Sequence, residues 1–414
     1  IVNMANQYDQ DIIYDPTPAP SAPTPFAPVE EFNVQYDSVT SIDQGPPVEE
    51  LHAEQIRQLQ DEGFTTGLAK TIVDIKSSFP LRIWVIDNSG SMQKADGHRI
   101  VETTVNASVR IAACTRWEEI RDCVNYHAKM AALAEAPTEF RLLNKSGGAA
   151  EFSVATSGPA YIQQDVKNAT STMRKAMPGG VTPLTRHIKE IHKKVSSMAP
   201  QLNAEGKRVA IIIATDGLPT DEKGQGGTQA RNDFIQSLRS LEGLPVWVVI
   251  RLCTDEDSVV EFYDGLDRQL EISLELLDDF IGEAKEIYAQ NSWLNYALPL
   301  HRLREMGFHD RIFDLLDERA FTKSEVRDFC YLLFGEEHFD GVPDPVVDWA
   351  GFIEFITELL KKEKPKWNPM FRRRTPWIDV KKLNQKYGGL KRDKSARASV
   401  RVGGNNSSVC EFCN

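Results

Sequence analysis

The chain has 414 residues, 41% of them hydrophobic, and a formal net charge of −12 at pH 7. This length and composition predict an ordinary globular protein of two or three domains with a sizeable core. No run of 18 apolar residues and no secretory signal is present, so neither a transmembrane helix nor export is expected.

Six scattered cysteines do not suggest a disulfide framework and favour a reducing, cytoplasmic location. The sequence begins with Ile1, so either Met4 is the natural start or the chain is a fragment.

The two ends of the chain differ from its centre in composition. Residues 1–48 are rich in Pro, Asp, Ser and Thr and are predicted to be disordered. Residues 361–401 contain 15 Lys and Arg against 3 Asp and Glu, a net charge of +12, so the remainder carries −24. The segment 364–414 is therefore predicted to be a basic, largely disordered tail that is a candidate to contact an acidic surface. With no nucleic-acid-binding fold recognised, nucleic acid is not the expected partner.

Between these ends, residues 49–78 are predicted to form a helical extension of two helices, separated near Gly63 and Gly67. Residues 79–289 alternate apolar strands with amphipathic helices. This pattern predicts an α/β fold with a doubly wound, mostly parallel sheet flanked by helices. The predicted strands are 81–86, 139–143, 151–155, 209–215, 245–252 and 270–274, the second and third forming a hairpin. Helices are predicted over 99–133, 228–241 and 276–287. Two more are predicted between them: one that ends near 177, and one that begins after Thr182 and carries an apolar, core-facing stripe from Leu184 to Met198.

Residues 290–363 are predicted to be helical, with helices near 298–306, 312–316, 324–333 and 349–360. The segment 340–348 faintly resembles an EF-hand loop, but Pro345 replaces the usual glycine and Gly351 stands where the bidentate glutamate belongs. Cys410 and Cys413 form a lone Cys-x-x-Cys without the second ligand pair that zinc needs. Calcium binding by the loop and zinc binding by the pair both remain open.

Three separate stretches place oxygen side chains after predicted strands or in a glycine-rich loop. Asp87, Ser89 and Ser91 follow the first strand, Asp216 follows the strand 209–215, and Thr182 follows the pair Gly179–Gly180. Because ligands of parallel sheets bind outside the carboxyl ends of the strands, these side chains are expected to converge there. Carboxylate and hydroxyl oxygens without Cys or His suit a hard cation such as Mg²⁺.

Together, Asp-x-Ser-x-Ser, Gly-Gly-x-Thr and Thr-Asp-Gly, in that order, resemble the motifs of the von Willebrand factor A (vWA) domain, over about residues 79–289. The resemblance implies a Rossmann-like fold with a metal-ion-dependent adhesion site (MIDAS). In it Ser89, Ser91 and Thr182 would bind the cation directly, while Asp87 and Asp216 would act through waters or hold those ligands. Thr185 is the alternative ligand. Thr182 is preferred to it because Thr182 follows the glycine pair and begins the helix. The implied cation is Mg²⁺, or another divalent ion such as Mn²⁺ or Ca²⁺.

The expected function is that of an intracellular, non-enzymatic adaptor that binds a Glu or Asp of a partner protein through the metal. A dehalogenase-type phosphatase needs a second aspartate where Ser89 stands, and no Gly-x-Ser-x-Gly elbow or Walker motif is present. The alternatives are a structural scaffold whose helical flanks make the contacts, and a metal-dependent phosphatase-like enzyme.

Overall fold

The computed structural model describes residues 52–102 and 109–388. The predicted disordered region 1–48, the end of the basic tail and the pair Cys410–Cys413 lie outside these ranges. Within the described residues the strands are β1 Leu81–Ile86, β2 Gly97–Glu102, β3 Val109–Cys114, β4 Thr138–Leu142, β5 Glu151–Val154, β6 Val209–Thr215, β7 Val246–Leu252, β8 Leu274–Leu277, β9 Lys366–Asn368 and β10 Arg373–Thr375. The helices there are α1 Ala53–Asp61, α2 Thr66–Ser78, α3 Arg116–Leu133, α4 Ile162–Lys175, α5 Leu184–Ala204, α6 Thr228–Arg239, α7 Asp257–Asp267, α8 Phe280–Gln290, α9 Leu298–Glu305, α10 Arg311–Glu318, α11 Lys323–Phe334, α12 Trp349–Lys362 and α13 Val380–Tyr387.

A six-stranded sheet of the described residues has the order β5-β4-β1-β6-β7-β8. β1 lies between β4 and β6 and is parallel to both, and β7 and β8 continue the parallel arrangement. β5 pairs antiparallel with β4 at one edge, as the predicted hairpin requires. The predicted α/β class with a mostly parallel, helix-flanked sheet is therefore confirmed.

Both faces of this sheet are buried, which explains why its central strands are continuously apolar. Ile83 and Val85 of β1 belong to an apolar cluster formed with α5, α6 and α7. Trp84 and Ile86 belong to the cluster on the opposite face, which includes residues of α2, α3, α4 and the C-terminal helices. Successive strand residues point to opposite faces, so a strand covered by helices on both sides has no polar side. Among the helices in the described part of the chain, none combines the length and apolarity needed to cross a bilayer.

The prediction of one helix over 99–133 is wrong in its first half. β2 and β3 pair antiparallel there as a separate ribbon, and α3 begins at Arg116. Thr115 and Glu118 form a reciprocal capping box, with Thr115 Oγ1 accepting from the Glu118 amide at 3.1 Å and Glu118 accepting from the Thr115 amide at 3.0 Å. This box fixes the helix start, because it satisfies amides that lack partners in the first turn. The β-branched residues before it favour strands.

Two smaller differences concern the segment after β7. A helix, α7, lies at Asp257–Asp267, where no helix was predicted, and the last strand is Leu274–Leu277 instead of 270–274. The strand therefore includes Leu276 and Leu277, which the helical pattern had assigned to the start of the next helix. Asp279 is the N-cap of α8. Its carboxylate accepts hydrogen bonds from the amides of Ile281 and Gly282 at 2.7 Å, which fixes the start of the helix after the strand.

The basic tail is folded as far as residue 388, so the prediction of a largely disordered segment from 364 is wrong for this part. β9 and β10 form a short ribbon, and α13 follows. Trp377 is fully buried, and its carbonyl accepts from the Asn295 amide at 2.8 Å. The prediction of disorder rested on the net positive charge of the segment and did not weigh the few apolar side chains that anchor it to the fold.

The carboxylates of the segment 340–348 serve its backbone. Asp344 Oδ1 accepts from the Val346 amide at 2.7 Å, and Asp348 Oδ1 accepts from the Gly351 amide at 2.9 Å at the start of α12. These are turn and helix-capping contacts.

Candidate metal site at the carboxyl edge of the sheet

Asp87 is a buried carboxylate that organises the turn leaving β1. Its amide donates to Ala214 O at 2.8 Å, which extends the β1–β6 pairing by one residue. Asp87 Oδ1 accepts from the Ser89 amide at 2.8 Å, and Oδ2 accepts from Thr215 Oγ1 at 2.7 Å. Both carboxylate oxygens are therefore engaged, and Asp87 positions the backbone that carries Ser89.

Ser89, Ser91 and Asp216 form a continuous row of oxygen atoms. Ser89 Oγ lies 3.0 Å from Ser91 Oγ, and Ser91 Oγ donates to Asp216 Oδ1 at 2.7 Å. The two serines come together because the chain turns through a short 3₁₀ segment, Gly90–Gln93. Asp216 reaches them because it follows β6, which pairs in register with β1.

Thr182 comes to the same place from the glycine-rich loop. The Gly179 amide donates to Asn88 O at 2.7 Å, and the Gly90 amide donates to Gly180 O at 3.3 Å, so this loop lies against the turn after β1. A Cβ atom added to Gly217 would be 3.9 Å from both Ser91 Oγ and Thr182 Oγ1. The two hydroxyls therefore face one small space beside Gly217.

Gly180 has a structural reason to be glycine. Its φ is +93°, and a Cβ at this position would lie 2.6 Å from the Asn144 side-chain oxygen. Asn144 in turn holds the loop, with Nδ2 donating to Val181 O at 2.7 Å.

Thr182, which was expected to begin the helix, lies one residue before its N-cap, since α5 begins at Leu184 and Pro183 is the capping residue. Thr182 instead pairs with Thr220, whose amide donates to Thr182 O at 2.9 Å. Thr185, the alternative ligand, lies within α5 and lines a separate groove with Lys189 and Asp221. The structure thus brings Asp87, Ser89, Ser91, Thr182 and Asp216 together at one edge of the sheet, and we call this group of five the serine site.

Two carboxylates close together give the serine site a strong preference for positive charge. Burial, and then the negative charge of Asp216, raise the pKa of Asp87 to about 6, although hydrogen bonds from Thr215 and Ser89 oppose the rise. A divalent cation beside the serines would offset this repulsion. The oxygen-only donors fit Mg²⁺, which prefers such ligands and keeps several waters.

Arg116 belongs to this site although no sequence pattern singled it out. It starts α3, and its Nη1 donates to Asp216 Oδ2 at 2.9 Å, on the carboxylate oxygen that Ser91 does not use. It also donates to Asp96 at 2.7 and 2.5 Å and to Glu256 at 3.1 Å. Burial by itself would lower the pKa of Arg116, but these three partners raise it above its ordinary value. The ion pair fixes the orientation of Asp216 towards Ser91.

A second acidic group lies at the same sheet edge, at the end of β8. Burial and the charges of Glu286 and Asp279 raise the pKa of Asp278 from 3.8 to about 6. The folded state therefore holds this proton more tightly than the unfolded chain does, so this group's contribution to stability falls as the pH rises from about 4 to about 6. We expect Asp278→Asn to raise the free energy of unfolding by about 1–2 kcal/mol at about pH 8 and by less at about pH 4.5.

Urea unfolding at the two pH values measures this difference. Asp233→Asn, on the exposed face of α6, is the matched control and should change stability at neither pH. A gain of equal size at both pH values would contradict the assignment to Asp278.

Proteins similar to part of this chain are found among solved structures. No family model matches it, and no curated protein matches it significantly. Among solved structures, a point mutant of the PilB minor pilin from Streptococcus sanguinis is 12% identical, with a TM-score of 0.32, and the match covers 48% of this chain and 56% of the pilin. The pilus adhesin SpaC from Lactobacillus rhamnosus GG is 15% identical, with a TM-score of 0.28, and the match covers 48% of this chain and 28% of the adhesin. The chain thus spans less than two thirds of either protein, and likenesses this weak carry no functional argument.

Proposed function

We propose that this protein is a Mg²⁺-dependent protein-binding module, an intracellular adaptor that takes an acidic side chain of its partner onto the metal. The observation that carries the proposal is the unbroken row of oxygens from Ser89 through Ser91 to Asp216, with the Thr182 hydroxyl facing the same space. The resemblance of the three motifs to those of vWA domains supports the same interpretation, in which these residues form a MIDAS.

In this proposal the three hydroxyls of Ser89, Ser91 and Thr182 bind the cation directly. Neutral ligands leave most of the charge of Mg²⁺ unneutralised, so a position held by water is open to exchange for a carboxylate. Asp87 holds the turn through the Ser89 amide, and Asp216 holds Ser91. A Glu or Asp of the partner would complete the metal's coordination, which makes the site a docking point for acidic protein surfaces.

An exposed apolar side chain lies just before the loop that carries Thr182. Met177 directly precedes the glycine-rich loop and is 67% exposed. Ser146 fixes its backbone, with Oγ donating to Met177 O at 2.7 Å and accepting from the Met177 amide at 2.8 Å. A partner with an apolar residue beside its acidic one would bury this side chain, which adds affinity without another charge.

The cysteines support an intracellular location. Within the described residues, Cys114, Cys123, Cys253 and Cys330 are all free thiols and all buried. Free buried thiols are typical of reducing compartments. The basic segment remains a candidate second contact for an acidic surface, since Arg372 and Arg373 are exposed.

Capture of binding partners from a cell extract in Mg²⁺ and in EDTA tests the proposal. The double variant Ser89→Ala, Ser91→Ala should lose the partners that wild type retains in Mg²⁺, and EDTA should release the same proteins. Ser196→Ala with Ser197→Ala, two exposed serines on α5, is the matched control and should behave as wild type.

Binding that persists in EDTA and in the double variant would reject the metal-bridged mode and favour the scaffold alternative. Turnover of generic phosphate esters that Ser89→Ala abolishes would instead favour a phosphatase-like enzyme.

A further inference from the structure

A second cluster of metal-ligating side chains, separate from the serine site, lies between α3 and α9. Cys123 and His127 are four residues apart on α3, and His301 and Glu305 are four residues apart on α9. Residues at this spacing share one face of a helix. All four side chains are between 0% and 3% exposed. Two helix faces therefore present a thiol, two imidazoles and a carboxylate to each other.

The ligand atoms converge on the Glu305 carboxylate. Cys123 Sγ lies 3.4 Å from Glu305 Oε1, and His127 Nε2 lies 2.8 Å from Glu305 Oε2. His301 Nε2 lies 3.5 Å from Glu305 Oε1. Zinc–sulfur and zinc–nitrogen bonds of about 2.3 and 2.1 Å place tetrahedral ligand atoms roughly 3–4 Å apart. Cys123, His127 and Glu305 each offer a ligand atom within 4.8 Å of the other two, which is the spacing of a zinc site, and His301 adjoins this group through Glu305.

His301 gives an independent sign that a ligand belongs here. Its Nε2 is buried and makes no well-directed hydrogen bond within the described residues, lying 3.5 Å from Glu305 Oε1. Its other ring nitrogen, Nδ1, lies 3.3 Å from the Tyr296 hydroxyl. A ring held through one nitrogen, with the other unpaired and directed at a carboxylate, is the usual arrangement of a metal-binding histidine. Leaving the atom unpaired would otherwise cost free energy.

The cluster lies at the wall of a cleft that is open to solvent. Cys123, His301 and Glu305 line an open cleft of about 900 Å³ between α1, α3, α8, α9 and the β2–β3 ribbon. The walls of this cleft carry both acidic and basic side chains, so a hydrated cation can enter it.

Arg302 contacts two of the same ligand atoms. Its Nη1 lies 3.0 Å from Cys123 Sγ and donates to Glu305 Oε2 at 2.7 Å. The side chain is 15% exposed at the cleft, and its guanidinium lies 4.7 Å from the Tyr126 ring centroid. Arg302 is therefore more exposed than Cys123, His127, His301 and Glu305.

The charges of the cluster favour an exchange of Arg302 for a divalent ion. Arg251 lies 3.5 Å from Glu305 and is also paired with Glu119. With Cys123 as a thiol, Arg251 and Arg302 balance the two carboxylates. With Cys123 as a thiolate, one Zn²⁺ and Arg251 balance the three negative groups, and Arg302 is no longer needed. Either state is neutral, which is what a buried cluster requires.

We propose that Cys123, His127 and Glu305 bind one Zn²⁺ ion, that His301 moves from Glu305 onto the ion as the fourth ligand, and that Arg302 takes the place of the ion in its absence. Binding forms a zinc–thiolate bond, releases the Cys123 thiol proton to solvent and moves Arg302 into the cleft. The bound ion joins α3, which carries Arg116 at its first residue, to α9 of the C-terminal helices. This proposal is independent of the function proposed for the serine site.

Zinc content and Co²⁺ spectra of the full chain test this proposal. The experiment uses the variant Cys410→Ser, Cys413→Ser, which removes the terminal pair as a competing site, and excess Mg²⁺, which competes at the serine site. We expect one zinc per chain after dialysis. Co²⁺ in its place should show the thiolate-to-metal absorption band and the strong visible bands of a tetrahedral site.

Variants on the same background separate a ligand role from a structural one. Cys123→Ala and Glu305→Gln should each lose the zinc and the spectrum, while Cys330→Ala, a buried cysteine of α11, should keep both. Arg302→Gln removes the competing cation and should raise zinc affinity at least about tenfold. Zinc below one equivalent in both the parent and Arg302→Gln would overturn the proposal, as would an unchanged spectrum in Cys123→Ala.

Discussion

Asp87→Asn is expected to stabilise the metal-free protein while weakening its affinity for divalent cations about 10–100-fold. The two effects have opposite signs because the negative charge of Asp87 destabilises the metal-free fold but attracts a bound cation. Burial and Asp216 raise its pKa to about 6, so at neutral pH the ionised group costs the fold about 1–3 kcal/mol. Asparagine keeps an oxygen for the Ser89 amide and removes the charge that the cation needs.

Thermal or urea unfolding in EDTA measures the first effect, and calorimetric titration with Mn²⁺ or Mg²⁺ measures the second. The gain in stability should shrink as the pH falls from about 6 to about 4, because wild-type Asp87 then becomes protonated and neutral. Asp233→Asn should change neither stability nor affinity. A variant that is less stable in EDTA, or that binds Mn²⁺ as tightly as wild type, would show that Asp87 is not an organiser of a cation site.

The sheet and its oxygen cluster could be predicted because both depend on short local patterns. β1 and β6 were predicted with their observed bounds, since a strand buried on both faces must be continuously apolar. Asp87 and Asp216 follow directly after these strands. In-register parallel pairing then brings the two residues to the same edge, without any further information.

Arg116 could not be predicted, because its role depends on a contact across 100 residues of sequence. An arginine at the first residue of a helix is usually solvent-exposed, and nothing local marks this one as buried. Its helix start was also mispredicted, because the predicted helix 99–133 included the residues of the β2–β3 ribbon. Long-range ion pairs of this kind follow from packing, which a single sequence does not display.

The Cys123–Glu305 cluster illustrates the same limit. The two residues are separated by 182 positions, and each helix carries two side chains of the cluster. Each half is a pair at four-residue spacing, which occurs in many helices without any metal. The packing of α9 near α3 brings these two weak local patterns together, with Cys123, His127 and Glu305 within 4.8 Å of one another.

The basic tail shows why disorder could not be predicted from composition alone. Its charge predicted disorder, yet four of its side chains, Asn368, Trp377, Ile378 and Leu383, are at most 4% exposed. A few anchors suffice to fix a charged segment, since each buried aromatic side chain removes a large apolar area from water. Disorder predicted from net charge therefore fails where aromatic residues are spaced within the basic run.

Trp377→Ala is expected to lower the free energy of unfolding by about 3–5 kcal/mol, which is the cost of truncating a fully buried tryptophan. The ring is 0% exposed and belongs to the apolar cluster of the C-terminal helices. Phe371→Ala is the matched control, because Phe371 is an aromatic residue of the same segment that is 42% exposed. Its removal should cost at most about 1 kcal/mol.

Urea unfolding measures both losses, and limited proteolysis of the native protein should cut the segment 366–388 faster in Trp377→Ala than in Phe371→Ala. Equal and small losses in the two variants would show that the segment contributes nothing to the stability of the fold.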